Sequence, residues 1–158
     1  MNDTTKKMAI IASKGTLDMA YPPLILATTA AALGYEVKIF FTFYGLQLLR
    51  KDLGHIKISP LANPAMPMPV PMPVMVSALP GMEAMATTMM KQKIKKHGVA
   101  SLEELRALAL EADVALIACQ MTIDLFEFDK SEFIDGIEYG GAATFLGFAG
   151  NTDVCLFI

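Results

Sequence analysis

The chain reads as an α/β protein, a three-layer α/β/α sandwich around a mainly parallel sheet of about five strands. Three observations predict this. Continuous apolar runs at residues 8–12 and 114–118 and at the chain end have the length and composition of strands buried on both faces. These runs alternate with alanine- and leucine-rich segments of helical length, the order that lays parallel strands between helical layers. The composition, 54% hydrophobic against 18% charged, exceeds what a half-solvated sheet requires.

The elements follow in order. Met8-Ala9-Ile10-Ile11-Ala12 is the first strand, ended by Ser13-Lys14-Gly15-Thr16. A helix starts near Asp18 or Pro22 and stops at Leu33, with Gly34 beyond its end. Glu36 to Thr42 is β-branched and aromatic and forms the second strand, and Gly45 to Asp52 reads as a short helix. From residue 55 to 81 the pattern breaks. Prolines alternate with methionines there, remove backbone donors and favour extended chain, so this Met/Pro-rich stretch reads as an insertion or lid without regular helix, in a chain that otherwise forms a single domain over 1–158. Met82 to Lys96 resumes as helix, and Ser101 with Glu104 is a capping-box signature opening another. Val114 to Ala118 is a strand delivering Cys119 at its end, with a short helical pattern after it. Helices are expected over 129–136, with Asp129 as N-cap, and over 142–148; a short strand is expected near 137–140 and a buried strand over 153–158.

Several functions are disfavoured. Sixteen acidic against thirteen basic residues give a net charge of −3 with no basic face, so nucleic acid is not an expected partner. Two cysteines in different strands do not make a disulfide framework and fit reduced cytoplasmic thiols. The polar N-terminus lacks the order of a signal peptide. The apolar stretch 24–33 is too short for a membrane span and 61–82 carries six prolines, so no span is expected. His55 and His97 stand apart from any cluster with metal-ligand spacing, and neither a Walker loop nor a GxGxxG turn is present, so no metal or cofactor is expected. Met66, Met68, Met72 and Met75 are soft ligands of the kind that suit Cu(I), but with the methionines that follow they read more simply as apolar filler.

The candidate site is the carboxyl edge of the sheet, where ligands of open α/β folds collect. Cys119 ends a strand and precedes a helix N-terminus, whose dipole and N–H groups favour thiolate. Thr122 is placed to cap that helix, and Gln120 lies beside it. Ser13, Lys14, Gly15 and Thr16 form a strand-to-helix loop able to offer N–H donors and a cation to a small anion. The plain alternatives are a cysteine acting as a small buried hydrophobe and a simple turn. Cys155, between Val154 and Leu156, reads as core filler with a raised pKa.

Recognition rests on a combination of motifs: Ser13-x-Gly15-Thr16-x-Asp18 after the first strand, Gly34-Tyr35-Glu36-Val37 running into Phe40-Phe41-Thr42-Phe43 and Gly45-Leu46-Gln47, Ala118-Cys119-x-x-Thr122, Ala143-Thr144-Phe145-Leu146, and the terminal Leu156-Phe157-Ile158. Together they resemble the DsrE/DsrF-like family, in its peroxiredoxin-like labelled branch, over nearly the whole chain outside the Met/Pro-rich stretch. The resemblance implies a homo-oligomer and a cytoplasmic role in sulfur trafficking, with TusA-like or rhodanese-like proteins as sulfur donors or acceptors. It places the working cysteine on Cys119. The expected chemistry is that of a sulfur carrier or sulfurtransferase, holding persulfide or thiosulfonate sulfur taken from a protein donor or a small sulfur anion and yielding it to an acceptor thiol. The competing expectation is a non-catalytic binding or regulatory module using the strand-end cleft or the Met/Pro lid.

Overall fold

The structure, a computed structural model, describes residues 5–158 apart from Leu61, Ala62, Pro64, Met66, Met68 and Pro71. Five strands, β1 (Lys7–Ala12), β2 (Glu36–Phe41), β3 (Ala115–Cys119), β4 (Glu138–Gly140) and β5 (Val154–Phe157), form one sheet in the order β4-β3-β2-β1-β5. Every neighbouring pair is parallel, as the unbroken apolar runs of β1 and β3 predict. Among the described residues the α-helices are α1 (Leu17–Ala32), α2 (Val74–Ser77), α3 (Met82–Lys96), α4 (Leu102–Glu111), α5 (Gln120–Leu125) and α6 (Ala142–Ala149).

Strand alternation divides the core in two. Met8, Ile10, Val37, Ile39, Phe41 and Leu116 face the larger cluster, into which α1 and α4 bury Leu17, Leu24, Leu105 and Ala109. Ala9, Phe40, Ile117 and Cys119 face the other way and are covered by Phe145, the buried residue of α6. Helices therefore lie on both faces, but the second layer is thin. Phe40 and Phe145 stack with ring centroids 5.0 Å apart, which anchors α6 to β2.

The local signals explain most boundaries and some departures from them. Ser101 and Glu104 close the reciprocal capping box that opens α4. Helix α1 begins at Leu17, so Pro22 and Pro23 sit inside it, where their fixed φ suits the helix at the loss of two backbone donors. The helix expected over 45–52 is instead a 3₁₀ turn, Phe43–Leu49, that stops short of Asp52. Its entry is tight: Phe43 has φ +48°, and Gly45 lies so close to the Ala12 carbonyl that any Cβ there would overlap it. The helix expected over 129–136 shrinks to one 3₁₀ turn, Lys130–Glu132. Asp129 caps it as predicted, and the chain then leaves to bury Phe133.

In the Met/Pro-rich region Ile56 and Ile58 are buried in the main core, and Met72 packs against it part-buried. Met66 and Met68 lie outside the described residues. Residues 74–77 form a single helical turn, α2, contrary to the expectation of no regular helix there. It begins immediately after Pro73, where proline no longer obstructs a following turn.

The final strand differs most from expectation. β5 is an edge strand with β1 as its partner on one side, and α6 does not cover its outer face. Cys155 is consequently exposed, not core filler, and Phe157 beside it is 73% exposed. Among the described residues no helix is long and apolar enough to cross a membrane.

Candidate functional site

Cys119 is the last residue of β3 and the N-cap of α5. Its pairing with Gly140 and the register of β2 and β3 set it level with Thr42, the residue that follows β2. Only 3% of the residue is exposed, because the thiol turns toward the α6 side of the sheet among Phe40, Ile117 and Phe145.

Burial in such a setting raises a thiol pKa. At Cys119 this is outweighed by the neighbouring hydroxyl and N–H of Thr122, the hydroxyl of Thr42 and the N–H of Met121, which hold the thiol below its ordinary value. These donors are fixed in place. Thr122 is fully buried, its Oγ1 accepts a hydrogen bond from the Phe43 N–H at 3.1 Å, and it lies 3.3 Å from Thr42 Oγ1. With one lone pair of Thr122 Oγ1 engaged by Phe43, its proton is left to point at Thr42 or at the sulfur. The unusual φ of Phe43 aims that N–H, so a strained residue on one loop orients a hydroxyl on another. Thr122 therefore does not cap α5, as its sequence position implied. It sits within the first turn, with its hydroxyl turned back to the 43–49 segment.

The other expected site residues fall in two places. Gln120 lies beside Cys119 but donates to Asp124 at 2.8 Å, one turn along α5. Ser13, Lys14, Gly15 and Thr16 are not brought to the thiol. Ser13 Oγ donates to the Ile158 carbonyl and ties the loop to the chain end. Lys14, Gly15 and Thr16 line a separate concavity of about 490 Å³ with Asp18, Tyr44 and Ser59. Asp18 contributes an acidic group to that concavity. Burial raises its pKa, but donation from the Ser59 hydroxyl and N–H more than offsets this and keeps the carboxylate ionised, which opposes an anion held by Lys14.

Thr42 and the Phe43 backbone are the members that sequence reasoning missed. A signal existed: once β2 and β3 are adjacent and parallel, the residue following β2 must lie beside the residue ending β3. Among the described residues no group of three His, Cys, Asp or Glu side chains is placed to hold a metal ion.

An all-parallel sheet between helices, with a buried cysteine at the carboxyl end of β3, defines an open α/β protein whose candidate site lies at the strand ends, where ligands of such folds collect. The model of the DsrE/DsrF/DrsH-like family matches residues 4–157, and the chain belongs to that family. It is 64% identical over 157 residues to the sulfur carrier protein DsrE2 of Allochromatium vinosum, covering 97% of this chain and 98% of that protein. It is 37% identical over 160 residues, the full length of both, to the uncharacterized protein YrkE of Bacillus subtilis. The crystal structure of the ychN protein from E. coli superposes with a TM-score of 0.59 over 98% of this chain and all of that one. At 11% identity this likeness concerns the fold alone.

Proposed function

We propose that this protein is a cytoplasmic sulfur carrier that holds a persulfide on Cys119 and passes the outer sulfur to an acceptor thiol. The observation that carries the reading is the placement of Cys119 at the carboxyl end of β3 and the head of α5, beside the paired Thr42 and Thr122 hydroxyls, a setting that holds the thiol below its ordinary value and favours the thiolate needed for attack. The full-length similarity to a protein named as a sulfur carrier supports it.

In the loading step the Cys119 thiolate attacks the outer sulfur of a donor persulfide. A new bond forms between Cys119 Sγ and that sulfur while the donor's own S–S bond breaks, and the donor leaves as its thiolate. Unloading repeats the exchange with an acceptor thiolate attacking the outer sulfur and Cys119 leaving, so no external oxidant or reductant is consumed. With tetrathionate as donor, the same attack transfers a sulfur–sulfonate group and releases thiosulfate, which would be the thiosulfonate form of the cargo. A leaving thiolate stabilised by fixed donors makes Cys119 as good at releasing sulfur as at taking it. Bound sulfur would place the reactive atom about 2 Å beyond Sγ.

The same reading takes the chain as one unit, with the Met/Pro-rich segment as an insertion, and assembles it as a homo-oligomer. Exposed Leu146 on α6 and Phe157 on β5 are apolar surface that a second copy would cover. Light scattering at micromolar concentration tests this.

The deciding experiment is intact-protein mass after exposure to glutathione persulfide. The wild-type chain and Cys155→Ser should gain and retain a sulfur that Cys119→Ser does not. Retention on Cys119→Ser with loss from Cys155→Ser would overturn the assignment.

A further inference from the structure

Beside the Cys119 site, across the Thr122 hydroxyl, the fold leaves bare a patch of aromatic and apolar side chains. Phe43 and Tyr44, on the 3₁₀ turn, lie against Phe126 at the end of α5, each with ring centroids 6.3 Å from it. Met121, two residues after Cys119, and Leu125, one turn further along α5, complete it. Exposure runs from 37% for Phe126 to 66% for Tyr44, so none of the five is core. The patch is joined to the thiol through the Phe43 to Thr122 hydrogen bond.

Its surroundings are acidic. Between residues 120 and 140 the chain carries Asp124, Glu127, Asp129, Glu132, Asp135 and Glu138 against a single cation, Lys130. Glu132 is paired with Arg50, and Lys130 lies over the Tyr139 ring, whereas Asp124 and Glu127 flank Phe126 with exposed carboxylates. Lys14 reaches the concavity beside Tyr44 but shares it with Asp18.

This charge pattern selects the occupant. A second copy would present the same carboxylates and be repelled. Small sulfur anions and nucleic acid are disfavoured for the same reason. We infer that this face docks a carrier or donor protein whose sulfur-bearing cysteine lies in an apolar surface ringed by lysine and arginine. The inference rests on the sulfur-carrier reading and specifies its partner. The apolar centre would exclude water from the exchange, and the acidic rim would steer the encounter and fix its orientation.

The test uses two fluorescent peptides with a shared Leu-Ser-Phe centre, flanked by lysine and arginine in one and by aspartate and glutamate in the other. Binding to the full-length protein is read by anisotropy. The basic peptide should bind at least about tenfold more tightly at low ionic strength, and the preference should collapse near 0.5 M salt, where charges are screened within a few ångströms. Glu127→Gln, and Asp124→Asn with it, should narrow the preference. Phe126→Ser should weaken the basic peptide at both salt concentrations, with circular dichroism confirming that each variant is folded. Equal binding of the two peptides, or a preference unmoved by salt, overturns the docking face. Loading by glutathione persulfide separates this from the parent reading. If Cys119 loads while the peptides bind equally, the carrier role stands and the docking face falls. If the basic peptide is preferred while Cys119 takes no sulfur, the docking face stands and the carrier role falls.

Discussion

The two cysteines occupy opposite kinds of place in one sheet. Cys119 ends an inner strand and is almost wholly buried, yet its thiol is held below the ordinary value by the polar groups of Thr122, Thr42 and Met121 beside it. Cys155 lies in the middle of an apolar strand sequence, yet it is exposed because that strand forms the sheet edge beyond the reach of α6. The register puts Cys155 level with Ala9, Lys38 and Ala115, so it is three strands across and four residues down from Cys119. At ordinary strand spacing and rise that is roughly 20 Å, far beyond what a disulfide can bridge. Strand order decides which thiol is covered, and hydrogen bonding decides which is activated. The two properties have separated in this molecule.

Reagent size should show the separation most strongly. A maleimide carrying polyethylene glycol should label Cys155 at least about tenfold faster than Cys119 in the folded protein, because access limits the buried thiol. Iodoacetamide, small enough to enter, should narrow that order near neutral pH, because the lowered pKa of Cys119 raises its thiolate fraction. Peptide mapping over time distinguishes the two. If the large reagent attacks Cys119 first, the burial assigned to it is wrong.

Phe145→Ala removes the ring that covers Cys119 and should cost about 3–5 kcal/mol of stability. It should also raise maleimide labelling of Cys119 while leaving Cys155 unchanged. Chemical unfolding with parallel mapping checks both parts. Thr122→Val keeps the side-chain shape but deletes the fully buried hydroxyl beside the sulfur and removes the acceptor of the Phe43 N–H, at a cost of about 1–3 kcal/mol. Its signature is an upward shift in the pH midpoint of Cys119 alkylation, which a purely structural role for Thr122 would not produce.

The smallest effect concerns pH and stability. The Cys119 pKa is lowered in the folded chain, so the thiolate contributes stability that is complete above the unfolded-state value and is lost as pH falls through the folded one. The unfolding free energy of the wild type relative to Cys119→Ala should therefore shrink on acidification across that window. A difference that grew on acidification would mean the thiol is held above its ordinary value.

The sheet was legible because β1 and β3 are unbroken apolar runs, and the Ser101–Glu104 box and the Asp129 cap were legible because capping is local chemistry. Cys119 could be singled out from its place between strand and helix. What failed depended on strand order, which short-range patterns do not contain. The DVCLFI run looks like a central strand, and only the path of the chain from β4 across to the far side of β1 makes it an edge. The separation of Ser13–Thr16 from Cys119 has the same origin, since both stand at carboxyl ends but of strands with β2 between them. Thr42 escaped notice because its importance comes from the neighbouring strand and not from its own segment.

The thinness of the α6 layer has a kinetic consequence. A helix that commits one fully buried side chain, Phe145, should open at a lower free energy than the central strands β1, β2 and β3 paired beneath it. Access to Cys119 is then an equilibrium between closed and open forms, and the population of the open form sets a ceiling on how fast a bulky donor can reach the sulfur. Native-state hydrogen exchange should find the α6 amides opening well before those of the central strands. The sulfur would then be sheltered between deliveries by a helix cheap enough to lift for each one.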